Sequence, residues 1–244
     1  MNPRLVVLCY HGLSDTWPDD TAVTPADFGA QIEFFLGRGY RATTFTDALT
    51  NLPAPRTLVV TFDDANESVL RLGAPLLERL GVPATIFVPT DYPDSGRLMS
   101  WGGIDRWLGG PHEPELECLG WESLRELAAA GWEIGSHTAG HPLLTEVDDA
   151  TLARELAESK RACECEIGSP CYSLAYPYGI ADNRIVRAAR VAGYAVAATV
   201  PITPVTALPL RWPRVGVYRG ESARRVMLRA QRRMFGAALP FRRP

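Results

Sequence analysis

The sequence predicts an α/β protein built around a parallel sheet. Short apolar runs rich in β-branched residues alternate with helical patterns along the chain, as expected for parallel strands joined by crossover helices. Polar residues follow several of these runs, at the carboxyl ends of the predicted strands, where parallel sheets carry their binding sites. No glycine-rich phosphate loop follows the first strand, which argues against a nucleotide-binding version of the class. A closed barrel and an open doubly wound sheet both fit this pattern.

Predicted strands and helices follow one another in order. The first helix begins at Thr24-Pro25-Ala26-Asp27, where threonine caps the helix and proline takes the first helical position. Later helices end at glycines, among them Gly81, Gly131 and Gly168. The predicted strands cover residues 5–11, 56–61, 83–88, 132–137, 172–176, 194–200 and 211–218. The predicted helices cover residues 25–36, 68–80, 124–130, 152–167 and 185–192.

Length and composition predict a single domain over residues 1–244. Of these residues 46% are hydrophobic and 22% charged, which is typical of a globular protein with a large core. The longest connection, 91–120, is rich in Gly, Pro and Trp, and we expect it to lie over the functional site. A basic helix is predicted over 221–244. A solvated face is favoured for it, and attraction to an anionic lipid or a phosphorylated substrate is the alternative.

The sequence predicts a cytoplasmic protein without a nucleic-acid partner. A net charge of −3 leaves no overall footprint for nucleic acid. The apolar run 5–8 is too short for a secretory leader, and no later run is long enough for an integral membrane segment. Five cysteines without framework spacing are expected to be reduced thiols.

Two polar clusters point to metal chemistry. Asp63 and Asp64 end one predicted strand, and such a pair is often only a solvated turn. A second cluster, His137 and His141, follows another strand. One carboxylate and two imidazoles form the ligand set that a divalent metal accepts while keeping positions open for water and substrate.

These motifs resemble a known family. Thr61-Phe62-Asp63-Asp64, the His137/His141 pair and Tyr176-Pro177-Tyr178-Gly179 resemble, in order, the first three motifs of the polysaccharide deacetylase family, the carbohydrate esterases with NodB homology. An early Tyr10-His11 and Ala175 before the third motif resemble one subgroup. The resemblance covers about residues 5–218. It implies a distorted (β/α) barrel of seven parallel strands that removes acetyl groups from N-acetylated sugars.

The resemblance also implies roles for single residues. Asp63 would be the general base, and Asp64, His137 and His141 would bind one divalent ion. Zinc is the expected ion, with cobalt, nickel and manganese as alternatives. The backbone N–H of Tyr178 would help to hold the oxyanion.

Three positions depart from the family pattern. Ala65 stands where a glycine usually follows the aspartates, and Ala175 where an arginine usually braces the catalytic aspartate. Arg214 is the candidate to replace that arginine and joins the predicted substrate-binding set; a structural ion pair is the alternative. No histidine follows His141, so the usual late general acid is absent. His11 is the expected replacement, with a fourth metal ligand or a packed core histidine as alternatives.

The expected substrate is an N-acetylated amino sugar, such as an intracellular biosynthetic intermediate. Two other functions remain open: hydrolysis of a non-sugar C–N bond, such as an imide or ureide, and sugar binding by an inactive homologue. Trp101, Trp107 and Trp212 are candidates for stacking on a sugar ring, although burial in the core is commoner for tryptophan. His112 is expected at the surface.

Overall fold

The fold is a parallel sheet surrounded by helices. The computed structural model describes residues 4–51, 55–201 and 206–234. The strands are β1 (Leu5–Tyr10), β2 (Arg41–Ala42), β3 (Thr57–Phe62), β4 (Ala84–Val88), β5 (Glu133–Ser136), β6 (Ser173–Ala175), β7 (Val196–Thr199), β8 (Trp212–Pro213) and β9 (Val215–Gly216). The α-helices are α1 (Pro25–Leu36), α2 (Phe45–Thr50), α3 (Ala74–Leu80), α4 (Trp121–Ala129), α5 (Asp149–Ile167), α6 (Asn183–Val191) and α7 (Ala223–Met234).

The sheet is nearly closed into a barrel. Its strand order is β8-β7-β6-β5-β4-β3-β1-β9, and the neighbouring strands run parallel. The strands β8 and β9 at the two ends of this order are consecutive in the chain, separated by the single residue Arg214. This segment pairs with β7 on one side and with β1 on the other, so it joins the two edges of the sheet. The α/β barrel class is therefore confirmed.

The number of strands differs from the predicted seven. Within the described residues eight strands follow one another around the sheet, and β2 pairs with β3 outside this order. The extra strand arises because Arg214 divides the strand predicted over 211–218 into β8 and β9. The sequence prediction also missed β2 and α2, since segments this short carry little periodicity.

Helix capping follows the sequence closely. At α1 the Thr24 side chain accepts a hydrogen bond from the N–H of Asp27, and Pro25 takes the first helical position. Gly81 ends α3 and Gly168 ends α5, both in the left-handed conformation. The predicted helix 68–80 begins instead as a π-helical turn, Val69–Gly73, before α3.

Side chains on the two faces of the barrel strands form two separate clusters. Leu5 and Val7 of β1 pack with Val59 of β3 and Trp212 of β8 in one cluster, whereas Val6 and Leu8 belong to a larger one that includes residues of α1. Because side chains alternate along a strand, the first cluster faces the barrel interior. On the same face of β1 and β3, the apolar residues are followed toward the carboxyl ends by Cys9, Thr61 and Asp63. The polar site therefore lies directly above an apolar interior.

The remaining features complete the architecture. In the described part of the chain no helix is both long and apolar enough to cross a bilayer. The five cysteines form no disulfide. The predicted basic helix 221–244 corresponds to α7, which packs against α1, and the part of the prediction after Met234 lies outside the described residues.

Candidate active site

Asp63 and Asp64 follow β3 directly and diverge because the backbone turns there. Asp64 has φ 69° and Ala65 has φ 54°, so two consecutive residues take the left-handed conformation. That conformation is costly for residues with a Cβ, which explains why glycine suits the position of Ala65. Both aspartates are buried. The strained turn directs two adjacent carboxylates toward different partners.

Arg214 is the partner of Asp63. Its Nη1 donates to Asp63 Oδ1 at 2.6 Å and its Nη2 donates to Oδ2 at 2.7 Å, a bidentate ion pair. The arginine side chain is fully buried, and Nη1 also donates to Thr61 Oγ1 at 3.0 Å. Ala175 occupies the position where an arginine is usual in the family, and Arg214, between β8 and β9, supplies the ion pair to Asp63 instead. Both of its terminal nitrogens contact Asp63, so the structure shows Arg214 supporting that aspartate, and its assignment to the substrate-binding set stays a prediction.

Asp64, His137 and His141 form a group with metal-ligand spacing. One ligand atom from each lies within 4.8 Å of the other two. Asp64 Oδ1 is 3.3 Å from His137 Nε2 and 3.6 Å from His141 Nε2. His137 Nδ1 lies 2.8 Å from the carbonyl oxygen of Ala175. Because a carbonyl oxygen can only accept a hydrogen bond, Nδ1 must be the donor, and the proton of the neutral ring lies on Nδ1. Nε2 and Oδ1 then face each other as two electron-pair donors, an arrangement that suits a cation between them.

The loop that carries both histidines is fixed from behind. Thr138 and His141 have positive φ values of 67° and 60°. Ser136 Oγ accepts from the N–H of Thr138, and Thr138 Oγ1 accepts from the N–H of His141. Glu155 Oε2 on α5 accepts from the N–H groups of Ala139 and Gly140, each at 2.9 Å. These hydrogen bonds stabilise the strained backbone conformation in which His137 and His141 lie together.

Electrostatics keep the carboxylates ionised. Burial alone would raise the pKa of Asp63, but the adjacent Arg214 guanidinium outweighs it and holds that pKa well below its usual range. Burial would likewise raise the pKa of Asp64, and the neighbouring imidazoles lower it overall. Burial lowers the pKa of His141 to about 3, helped by His137. His141 is therefore neutral at physiological pH, the form that binds metals.

His137 behaves differently from His141. Burial would lower the pKa of its ring, but Asp63 and Asp64 raise it overall. The two carboxylates thus favour positive charge at His137 Nε2. A bound divalent ion would supply that charge in place of the proton.

These residues line a cavity of about 490 Å³ at the carboxyl ends of the strands. His11 lines it as predicted, and one of its ring nitrogens lies within 4.8 Å of an Asp63 oxygen. Tyr178 also lines it, with φ 58° and its ring centroid 5.0 Å from that of His141. The cavity thus brings together the predicted base, acid, ligands and oxyanion donor.

Part of the long connection 91–120 borders this cavity. Trp101 stacks on His141 with ring centroids 4.0 Å apart, and Gly102, Gly103, Ile104 and Arg106 line the wall beside it. Asp19, from the segment after β1, accepts hydrogen bonds from Arg106 Nη2 at 2.8 Å and from Trp107 Nε1 at 3.0 Å. Two connections are therefore tied together at the mouth of the barrel.

The other aromatic candidates lie elsewhere. Trp212 is 2% exposed and packs in the barrel interior, so it cannot stack on a substrate. Trp107 packs edge-on against Trp17 and does not itself line the cavity, although its Nε1 donates to the lining residue Asp19. His112 is partly exposed and packs edge-on against Trp107.

Sequence reasoning missed two residues of the site. Cys9 is buried, lines the cavity, and lies with its Sγ 3.4 Å from Asp63 Oδ2. Its position two residues before His11 was the available signal, because residues i and i+2 of a strand share a face. Glu155 carried no comparable signal, since an acidic residue on an amphipathic helix is normally a solvated one.

Comparison with known proteins supports the sequence resemblance. The model of a family described as polysaccharide deacetylase matches residues 51–197. YxkH of Bacillus subtilis strain 168, whose name places it among polysaccharide deacetylases, is 25% identical over 201 residues, which are 80% of this chain and 64% of YxkH. The poly-beta-1,6-N-acetyl-D-glucosamine N-deacetylase of Staphylococcus aureus strain N315 is 24% identical over 176 residues, 66% of this chain and 55% of that protein. The chain thus spans less than two thirds of the length of these relatives.

Solved structures share the fold. The Streptococcus pyogenes deacetylase PplD, in complex with acetate, superposes with a TM-score of 0.78 at 20% identity, covering 93% of this chain and 98% of that one. IcaB from Ammonifex degensii gives a TM-score of 0.71 at 23% identity, covering 95% and 98%. The family model covers more than half of the sequence and includes both the aspartate pair and the histidine pair. The chain therefore belongs to the polysaccharide deacetylase family.

Proposed function

We propose that this protein is a metal-dependent hydrolase that removes the N-acetyl group from an amino-sugar substrate. The proposal depends on one observation: two groups of side chains lie in the same cavity. In one group Arg214 binds Asp63, and in the other Asp64 faces His137 and His141. The cavity volume of about 490 Å³ lies in the range typical of small-molecule sites.

Asp64, His137 and His141 would hold the metal ion. A divalent ion bound there would polarise the acetamide carbonyl and increase the acidity of water. Zinc suits a set of one carboxylate and two imidazoles, and cobalt, nickel and manganese are tested beside it. The paired lone pairs of Asp64 Oδ1 and His137 Nε2 support this assignment.

The other residues would move protons and stabilise charge. Asp63, ionised because of Arg214, would accept a proton from the attacking water. The N–H of Tyr178 would donate to the oxygen of the tetrahedral intermediate. His11 would then protonate the amine as the C–N bond breaks, leaving acetate and a free amino sugar.

Substrate choice follows from the relatives and from the cavity. The Staphylococcus aureus relative is named for poly-beta-1,6-N-acetyl-D-glucosamine, so β-1,6-linked N-acetylglucosamine oligomers are the first substrates to test. A small intracellular N-acetylated amino sugar, such as a sugar nucleotide, is the second. The stacked pair of Trp101 and His141 offers a flat apolar wall against which a sugar ring can lie.

The test is acetate release from a panel of both substrate types, with a cyclic imide and a ureide included. Protein loaded with one equivalent of zinc, cobalt, nickel or manganese is compared with chelator-treated protein. We expect acetate from at least one N-acetyl sugar, lost on chelation and restored by metal. Metal binding without acetate release from any sugar would contradict the proposal, as would turnover of the imide or ureide alone.

A further inference from the structure

A second group of ligand-type side chains lies beside the first. Cys9, His11 and Asp63 each offer one ligand atom within 4.8 Å of the other two, and all three line the cavity. None of them belongs to the group of Asp64, His137 and His141. The two groups are adjacent, because Asp63 Oδ2 lies 3.9 Å from His137 Nε2.

The backbone explains how this second group arises. The strands β1 and β3 are parallel neighbours, with Cys9 paired to Thr61 in register. Cys9 and His11 share one face of the first strand and its continuation, and Asp63 continues the corresponding face of β3. By this register Asp63 lies level with His11 and two residues beyond Cys9, so its carboxylate can reach both of their side chains.

Each of the three donors is able to bind a cation. Cys9 Sγ approaches Asp63 Oδ2 at 3.4 Å. His11 Nδ1 is buried and has no hydrogen-bond partner in the described part of the chain. Asp63 Oδ2 accepts from Arg214 Nη2 and from the Cys9 thiol, so loss of the thiol proton on metal binding would free one lone-pair site on Oδ2.

We propose that Cys9, His11 and Asp63 form a second, inhibitory site for a thiophilic divalent ion such as Zn²⁺. A set of sulfur, nitrogen and oxygen donors favours Zn²⁺ or Cd²⁺ over Mg²⁺ or Mn²⁺. On binding, a metal–sulfur bond forms and the thiol proton passes to the buffer, without any oxidant or reductant. The Arg214 guanidinium binds Asp63 directly and opposes a second cation there, whereas Asp64 faces the two imidazoles His137 and His141. The second site should therefore fill only after the first.

Inhibition follows from the identity of the ligands. An ion on this group occupies Asp63 and His11, the base and acid of the proposed reaction. This consequence rests on the proposed function, whereas binding at the second site does not. Metal binding at the second site and inhibition of the reaction therefore need separate measurements.

Binding is tested by titrating Cd²⁺ into protein that already holds one equivalent of zinc. Cadmium bound to a thiolate gives an ultraviolet charge-transfer absorption. We expect this absorption to rise with one further equivalent of Cd²⁺ in the wild type and in the control Cys165→Ser, because Cys165 is exposed and outside both groups. Cys9→Ser should lose it. An unchanged absorption in Cys9→Ser would overturn the second site.

A second variant guards against misfolding of Cys9→Ser. His11→Ala keeps the thiol but removes one ligand, so the Cd²⁺ affinity should fall at least about tenfold. Equal affinity of His11→Ala and the wild type for the additional Cd²⁺ would also overturn the assignment.

Inhibition is tested by acetate release at rising zinc concentration. Each variant is compared with its own rate at one equivalent of zinc. Excess zinc should inhibit the wild type and Cys165→Ser more strongly than Cys9→Ser. Equal inhibition of Cys9→Ser would overturn the inhibitory role. If the wild type releases no acetate at one equivalent, the proposed function fails, while the cadmium titration still decides whether the second site exists.

Discussion

At the scale of single residues, the buried Arg214 sets the properties of Asp63, the proposed base. The guanidinium is fully buried and binds both oxygens of Asp63. A buried ion pair of this kind adds little net stability by itself, but removing one partner leaves the other charge buried and uncompensated. The pair therefore fixes the position and the charge of Asp63. Each partner also needs the other in order to stay buried without a large loss of stability.

Replacement of Arg214 tests this dependence. Arg214→Met should lower the free energy of unfolding by about 3–5 kcal/mol, because Asp63 loses its counter-charge. The double variant Arg214→Met/Asp63→Asn should recover part of that loss, since a neutral amide is less costly to bury. Urea denaturation at neutral pH measures both values. A double variant no more stable than Arg214→Met would show that charge is not the cause.

The same ion pair predicts a dependence on pH. The pKa of Asp63 is lower in the folded protein than the usual value of about 3.9 for an unfolded chain. Its contribution to stability is therefore fully present above that unfolded value and is lost as the pH falls through the lower folded value. The stability gap between wild type and Asp63→Asn should stay constant from pH 7 to about 5 and shrink only under stronger acid. A gap that closes near neutral pH would contradict the assignment.

The role proposed for His11, proton delivery to the leaving amine, is tested separately. His11→Ala should lower turnover about 10²–10⁴-fold, the usual contribution of a general acid, with the first metal equivalent still bound. Loss of that metal would assign His11 as a ligand instead. Loss of cooperative unfolding would assign it to the core.

At the scale of elements, the loop 137–141 depends on a helix that never touches the cavity. Glu155 on α5 accepts hydrogen bonds from the N–H groups of Ala139 and Gly140. These bonds fix the loop between the two histidines and thereby position both. Groups that orient metal ligands typically contribute about 10–100-fold to metal affinity. Glu155 is thus a positioning residue for the proposed metal site.

Glu155→Ala should weaken zinc binding by about 10–100-fold, as measured by competition with a chromophoric chelator. Glu155→Gln should keep much of the affinity, because an amide oxygen can still accept both hydrogen bonds. Glu158→Ala is the matched control, since Glu158 is exposed on the same helix. Equal affinities for Glu155→Ala and Glu158→Ala would remove Glu155 from the support of the site.

Elements and motifs were predictable from sequence to different degrees. Local patterns predict the alternation of strands and helices, the cap at Thr24 and the strand that leads into Asp63. The division of the last strand at Arg214 does not, because it depends on pairing with β7 and β1, which are distant in sequence. Long-range contacts of this kind leave no periodic signal in the chain.

The site was likewise predictable only in part. The adjacent aspartates and the His137/His141 pair were sufficient to predict that a carboxylate meets two imidazoles, and the family resemblance selected Asp64 as that carboxylate. The supports were not predictable, because Glu155 and the Ala175 carbonyl act through backbone hydrogen bonds that any helix or strand could supply. Cys9 could have been predicted from the alternation of side chains along a strand, because it shares a face with His11.

At the scale of the whole molecule, the mouth of the barrel is built from distant segments. Asp19 ties the segment after β1 to the long connection through Arg106 and Trp107. Arg219 binds the carbonyl oxygens of Ser14 and Ala22 on the same segment. Hydrogen bonds between distant segments therefore hold the rim together, and we expect the shape of the rim to govern how substrate enters.

Asp19→Asn should raise KM more than it lowers kcat, because it loosens the rim and leaves Asp63 and the histidines in place. The effect should be larger for oligomers than for monosaccharides. Asp15→Asn is the matched control, since Asp15 lies on the same segment with an exposed side chain. A fall in kcat with KM unchanged would show that Asp19 supports the chemistry and not the rim.

In the proposed reaction, Asp63 acts as a base beside a metal held by Asp64, His137 and His141. The most direct test measures metal content and acetate release together in the wild type, in Asp63→Asn and in His137→Ala. We predict one tightly bound metal and full activity in the wild type, the same metal with turnover reduced about 10²–10⁴-fold in Asp63→Asn, and neither metal nor activity in His137→Ala. Full metal occupancy in His137→Ala, or near wild-type turnover in Asp63→Asn, would contradict the account.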